Sequence, residues 1–532
     1  MAEHDGPERG GQDGGRRSGG DGRRGSSPHG GGGRTPGGRG GRSGDHRRSG
    51  PRKRSAQAPA QRARRGDPAR DAAFEVMRAV ADGGYANLLL PRVLRAARLH
   101  GRDAGFATEL TYGTLRMQGL YDAVVDSAVD PPGRAIDPAV RDILRLGAHQ
   151  LLAMRVPDHA AVSATVALAR QHVGAGAGGF VNAVLRRVSE RSRDEWLDRV
   201  AGQTTDTVER LAVVHSHPAW VIRALRAALI GHGASTADSV DGDLADLLTA
   251  HNTPAPPTLV ARPGLGAEVE LEEAGAVPDD TAPTAWTMPG GDPGDLAAVR
   301  AGRAAVQDAG SQLLALALAA APVDHPTRSD AEEEWLDLCA GPGGKAGLLA
   351  ALAAQRGARL RANELQPHRA DLVRNTLAAI RHTHPGVVEV TVGDGREVGE
   401  TDPEHFDRVL VDAPCTGLGA LRRRPEARWR RTPRDLAELG PLQRDLLAAA
   451  IGATRPGGVV LYSTCSPHLA ETEFVVKDVL KAFPGVEAED VRPLLRDRAG
   501  EPLARTGPGP WAQLWPHVHG TDAMFLALLR VG

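Results

Sequence analysis

The hydrophobic period of this chain changes near Val306, and that change constrains its architecture more than any other feature. From Asp67 to about Ser192 apolar residues recur at three- and four-residue spacing, as in Ala69, Ala73, Val76, Met77 and Val80, and again in Val140, Ile143, Leu144, Leu146 and Leu151. This is the period of helices that bury one stripe. Breaks at Gly83-Gly84, Pro131-Pro132-Gly133, Pro157 and Gly174 to Gly179 divide the stretch into at least five helices. The spacing predicts an all-α bundle over 67–200. Residues 193–250 continue as polar helices with a loop near His232. Residues 251–300 are Pro-rich with one strand-like run, Thr258 to Arg262, so 201–305 reads as a helical linker and small α+β subdomain.

Beyond Val306 apolar runs alternate with amphipathic helices. The runs are Trp335–Ala340, Leu360–Leu365, Val387–Val392, Phe406–Ala413 and Val459–Ser463, with helices over Lys345–Arg356 and Pro367–His382. Strand and helix in repetition predict an α/β doubly wound, Rossmann-like domain over 306–532, with a parallel sheet covered on both faces. Such a sheet binds ligand outside the carboxyl ends of its strands. Cys339, Cys415 and Cys465, the only cysteines, fall at three such ends. Without a C-x-x-C pair they predict neither a disulfide framework nor a metal site.

Charge is segregated along the chain. Residues 1–66 carry 16 Lys/Arg, 6 Asp/Glu and 20 Gly, a composition unable to bury enough surface to offset chain entropy. This segment reads as a disordered basic arm, either an extension that raises RNA affinity or a solubilising one. The longest apolar stretch, Leu313–Pro322, is half of the roughly 20 residues a membrane span needs, so a cytoplasmic protein without a membrane partner is expected. The chain holds four lysines against 61 arginines. Lys345 closes a glycine-rich loop, where a compact ammonium differs from a guanidinium fork.

That loop runs Cys339-Ala340-Gly341-Pro342-Gly343-Gly344-Lys345 between a strand and a helix. Glycines there let backbone approach a ligand, and Glu364, at the end of the next strand, stands where an acid can hold a ribose. The phosphate-binding G-x-x-x-x-G-K-[ST] pattern is excluded, because it would need glycine at 339 and a hydroxyl at 346. Two further strand ends read Asp412-Ala-Pro-Cys415-Thr-Gly and Ser463-Thr-Cys465-Ser. A thiolate adds to C6 of a pyrimidine, makes C5 nucleophilic and later leaves, so two cysteines facing one pocket suit addition and elimination. Cys339 reads as packing. Next to Cys415 lies an arginine-rich segment, with Arg422, Arg423, Arg424, Arg428, Trp429 and Arg430. Arginines around an aromatic suit a phosphate backbone and an unstacked base, and these six are the expected RNA contacts.

These four ordered motifs resemble the Sun/Fmu (nucleolar protein and Sun) family of RNA cytosine-5 methyltransferases. Residues 67 to about 200, including Phe180-Val-Asn-Ala-Val-Leu-Arg186, resemble the NusB-type RNA-binding domain of its bacterial small-subunit rRNA member. The resemblance implies a class I methyltransferase domain, S-adenosylmethionine as cofactor and C5 of a 16S rRNA cytidine as target. It also implies that residues 339–345 line the methionine and ribose, that Glu364 holds the ribose hydroxyls, that Asp394 meets the adenine and that Asp412 borders cofactor and base. In this pattern Cys465 corresponds to the nucleophile and Cys415 to the cysteine that assists product release. With Asp412 and Lys345 they make the expected catalytic set. Roles exchange if the Pro-Cys thiol attacks, as in DNA cytosine-5 methyltransferases. A monomer without metal is expected. Three other readings compete: a tRNA or other RNA cytosine-5 methyltransferase, a non-catalytic RNA-binding or antitermination protein, and a nicotinamide-dependent oxidoreductase. The last leaves Cys415 and Cys465 unexplained.

Overall fold

The computed structural model describes residues 66–324 and 332–532. The basic arm of residues 1–66, apart from Gly66, lies outside the described residues. The amino-terminal bundle opens where Asp67 caps a helix over Pro68–Ala81, its carboxylate accepting from the Ala69 and Arg70 amides. Six more helices follow among the described residues: Ala86–Ala96, Gly101–Arg116, Gln118–Ala128, Pro138–Leu152, Asp158–His172 and Ala175–Val188. Their apolar stripes meet in one core that includes Val76, Leu110, Tyr121, Ile143, Leu146 and Leu185.

Two breaks differ from the sequence expectation. Gly176, Gly178 and Gly179 lie inside a helix rather than between two, because Gly178 lets the Arg170 side chain lie within 2.7 Å of where a Cβ would stand. Conversely, the chain turns at Arg98 and at Met117, where neither glycine nor proline signals it.

Residues 193–252 add the helices Arg193–Ala201, Thr207–Val214, Ala219–Gly231 and Val240–Asn252. The single strand expected after them is one of four. Strands β1 (Thr258–Ala261), β2 (Val277–Pro278), β3 (Ala285–Thr287) and β4 (Ala304–Val306) pair in the antiparallel order β2-β3-β1-β4. Strands of two to four residues are too short to display alternation.

The large sheet contains β5 (Glu334–Asp337), β6 (Arg359–Glu364), β7 (Val388–Val392), β8 (Phe406–Asp412), β9 (Thr454–Thr464), β10 (Val486–Glu489), β11 (Ala512–Gln513) and β12 (Phe525–Val531). Its order is β10-β12-β9-β8-β5-β6-β7, with β11 beside β12. The five strands from β5 to β9 are mutually parallel, but β12 enters antiparallel between β9 and β10. The expected all-parallel sheet is therefore mixed. Its reversed strand, Phe525–Val531, is apolar from Phe525 to Leu529, and no local pattern reveals its direction.

Arg408 sits fully buried within β8, a position where an apolar residue would be the default. Its guanidinium donates to the Leu318 carbonyl at 2.8 Å and the Ala321 carbonyl at 2.5 Å, and to Glu333 at 2.7 Å. It thereby satisfies orphan carbonyls at the end of the helix Ala309–Ala320, where a cation also complements the helix dipole. We expect Arg408→Met to lower stability by about 3 kcal/mol, because the acceptors stay buried without a donor. The shift of the urea midpoint measures it.

Candidate active site

Register brings the motif residues to one edge. Asp337 ends β5, Glu364 ends β6 opposite Val392 of β7, and Asp412 ends β8 opposite Ser463 of β9. The loops leaving these ends carry residues 338–345, Asp394, Cys415 and Cys465. Gly343, at φ +108°, turns the chain into the helix Gly344–Arg356, a conformation that L side chains avoid.

At the centre, the Cys415 and Cys465 Sγ atoms are 3.4 Å apart, and Lys345 Nζ donates to Asp412 Oδ2 at 2.8 Å. The two thiols have different surroundings. The hydrogen bond from Cys415 pulls the Cys465 thiol below its ordinary range against burial and Asp412, with Lys345 and Arg424 acting in the same direction. Giving up that bond, burial, Glu471 and Asp412 push Cys415 well above its range. Of the two thiols, Cys465 is therefore the more readily ionised. Burial opposes the charge of Lys345, yet the Asp412 carboxylate raises its pKa, so the ammonium persists beside Cys465. Cys339 packs against the apolar core of the sheet, and burial raises its thiol.

The residues expected to meet the cofactor lie along the neighbouring loops. Glu364 Oε2 accepts from the Gly341 amide at 3.1 Å and Oε1 from the Gln366 amide at 3.0 Å. Asp394 is chelated by Arg396 of its own turn. Asp337 was not among the expected residues. Its carboxylate is 1% exposed and neither oxygen has a hydrogen-bond partner. Burial and the nearby Asp412 raise its pKa to about 7. Open space beside Gly344, an unpartnered carboxylate, and the exposed apolar side chains of Leu365 and Val392 beside Glu364 fit S-adenosylmethionine, a cation with a ribose and a flat purine. A second unexpected residue is Glu471, fully buried, which accepts from the Thr416 amide at 2.7 Å and its hydroxyl at 2.5 Å and so holds the turn after Cys415. No sequence motif marks it.

The expected RNA contacts do not form an exposed face. Arg428 is fully buried, donating to Asn252 Oδ1 at 2.8 Å and the Ser216 carbonyl at 3.1 Å. Arg423 is held by Asp308 and Asp522, Arg422 donates to the Gly520 carbonyl, and Arg430 donates to carbonyls of Val80 and Gly83. The Trp429 ring packs on Gly119. Of the six, Arg424 alone is exposed. The correction has a physical cause: a charge run near a pocket looks like a nucleic-acid surface until distant backbone carbonyls claim its donors.

A parallel core with a glycine turn after β5, an acid ending β6 and a reversed strand between β9 and β10 fits an S-adenosylmethionine-dependent methyltransferase. Residues 327–530 match the family model described as 16S rRNA methyltransferase RsmB/F, and residues 67–190 match the NusB family. The chain is 52% identical over 469 residues to a Mycobacterium tuberculosis protein named as a methyltransferase, covering 87% of this chain and 96% of that one. It is 35% identical over 431 residues to ribosomal RNA small subunit methyltransferase B of Thermus thermophilus, covering 81% and 91%. The crystal structure of PH0851 shares the fold, with a TM-score of 0.70 at 23% identity over 88% of this chain and 99% of that one. The chain belongs to the RsmB/F family of 16S rRNA methyltransferases and carries a NusB domain ahead of the catalytic domain. Its methyl donor is S-adenosylmethionine.

Two outcomes follow from this geometry. Gly343→Ala would place a Cβ 2.8 Å from that of Thr376 at a left-handed φ, so affinity for S-adenosylmethionine, measured by calorimetry, should fall about tenfold or more. Asp337 titrates near 7 when folded and near about 4 when unfolded. The folded protein therefore holds an extra proton in that window, and stability declines as pH rises through it. Asp337→Asn should stabilise the cofactor-free protein at pH 8, by up to about 4 kcal/mol, and have no effect near pH 4. Thermal unfolding at the two pH values checks the sign.

Proposed function

We propose that this protein methylates C5 of a cytidine in 16S rRNA through a covalent bond between Cys465 and C6 of the base. The observation that carries the reading is the pair of thiols 3.4 Å apart in unlike surroundings, with Cys465 pulled below and Cys415 pushed above the ordinary range and the Lys345–Asp412 ion pair beside them. S-adenosylmethionine, when bound, supplies an electrophilic methyl group. Cys465 Sγ bonds to C6, which places electron density on C5. Once C5 carries the methyl group, its proton passes to Cys415 after that thiol has released its own proton to solvent, the C5–H electron pair re-forms the C5–C6 double bond, and the C6–S pair leaves with the Cys465 sulfur as thiolate. Cys415 assists that step and so governs release rather than capture. Lys345 holds positive charge beside the attacking sulfur, and Asp412 fixes that ammonium. The relatives named ribosomal RNA small subunit methyltransferase B support 16S rRNA as substrate and the cytoplasm as site of action. No described helix is long and apolar enough to cross a membrane. In this reading residues 67–200 bind RNA, 201–305 connect, and 306–532 catalyse.

Cys465→Ala should abolish methyl incorporation while binding of S-adenosylmethionine survives. Cys415→Ala should form the protein–RNA adduct and resolve it slowly, leaving a species that survives denaturing electrophoresis; the double mutant should leave none. If Cys415→Ala eliminates the adduct and Cys465→Ala traps it, the roles are reversed. Bisulfite sequencing of rRNA from a deletion strain identifies the cytidine.

A further inference from the structure

The arginine-rich segment leaves the catalytic edge, reaches the amino-terminal bundle and returns. At its near end, Arg431 Nε donates to the Thr416 carbonyl at 3.1 Å and Nη1 to Asp435 at 3.1 Å, closing residues 416–431 into a loop whose base adjoins Cys415. Thr416 is fixed on its other side by Glu471 and contacts Ser466 Oγ at 3.2 Å, next to Cys465. The far end is gripped by the bundle. Glu426 accepts from the Ala86 amide at 3.3 Å, Arg430 donates to Val80 at 2.7 Å, and the Arg424 and Arg430 guanidinium groups lie 5.8 and 5.1 Å from the centre of the Tyr85 ring. A Cβ on Gly119 would stand 2.5 Å from the Trp429 ring. Between the two ends, Arg428 is buried and its hydrogen bonds among the described residues go to neutral acceptors. Its pKa falls to about 9 through burial and the nearby Arg116. A buried charge of this kind is weak support for stability, but its many directed bonds hold one relative placement of the parts it joins.

We propose that residues 416–431 are an arm through which the amino-terminal bundle sets the position of Cys415 against Cys465, with Arg428 and Arg431 as positioning residues rather than RNA contacts. The segment offers few directed phosphate contacts, since Arg428 is buried, Arg423 and Arg431 pair with carboxylates, and Arg422 and Arg430 donate to backbone carbonyls. The proposal rests on the reading that the two cysteines act together, and for that reason its test includes a measurement made without RNA.

Three variants of the full chain probe it. Arg431→Ala cuts the near end at a partly exposed side chain, Arg428→Met cuts the middle, and Gly119→Ala displaces Trp429 from the bundle without altering charge. Arg431→Lys should restore part of the loss through one donor. The arm predicts that each variant that folds, as judged by its thermal transition, lowers kcat about tenfold while Kd for rRNA and its salt slope stay within about twofold. In RNA-free protein, the pH midpoint for alkylation of Cys465 by iodoacetamide should move upward, because the hydrogen bond from Cys415 is lost while Lys345, Arg424 and Asp412 still face it. An RNA-contact role predicts instead an unchanged midpoint, weaker binding and a salt slope reduced by about one for Arg431→Ala, with no effect of Gly119→Ala. That pattern, or unaltered kcat and midpoint in both Arg431→Ala and Gly119→Ala, overturns the proposal. Should Cys465→Ala retain activity, the covalent reading fails while the alkylation midpoint still decides whether the arm sets the thiol pair.

Discussion

Parallel pairing of β8 with β9, with Asp412 opposite Ser463, places two cysteines fifty positions apart in sequence within a hydrogen bond of each other. A strand has a period of two, so a slip of one residue would turn the side chains at both strand ends to opposite faces. The register is secured from one face by Val409, Val411, Val460 and Tyr462, from the other by Leu410, Val459 and Leu461, and from the edge by β12, which pairs with β9 along six residues. Ala523, just before β12, donates its amide to Gly419, and the Gly419 amide donates to the Cys465 carbonyl. The reversed strand therefore buttresses the reactive loops as well as completing the sheet.

Three buried arginines act as internal ties. Arg262, Arg408 and Arg428 are each almost wholly buried; Arg262 and Arg428 each satisfy backbone carbonyls of separate segments, and Arg408 satisfies two at the end of one helix. A planar fork with five donors can serve several carbonyls at once, which an ammonium cannot do with the same geometry. Lys345 is the contrasting case, a compact charge directed at one carboxylate.

The alternation of strand and helix beyond Val306 and the glycine turn at 339–345 were legible because both are local: periodicity and turn chemistry are written in adjacent residues. Helix breaks at Arg98 and Met117 were not, since tertiary packing decides them without a breaker residue. The direction of β12 and the existence of the small β1–β4 sheet depend on pairings between distant segments. The arginine-rich segment is the instructive case. Its composition is plain in the sequence, but its partners, Val80, Gly83, Ser216 and Asn252, lie some 180 to 350 positions away. Asp337 could have been noticed as a lone acid within an apolar run, whereas Glu471 has no local signature.

The cores of these regions are not separable. Leu418, Leu421, Ala427 and Trp515 from the catalytic domain share one apolar cluster with Val221, Ile222 and Leu225 of the linker helices, and Val260 and Ala285 of the small sheet join the core under the helix Ala309–Ala320. A catalytic domain excised at residue 306 would present those leucines and Trp515 to water together with the orphaned guanidinium of Arg428. In terms of modularity, the boundaries drawn by sequence similarity are not boundaries of autonomous folding: the chemistry cannot be transplanted as a cassette, and an RNA-recognition module grafted in place of the bundle would have to bring its own surface for residues 416–431.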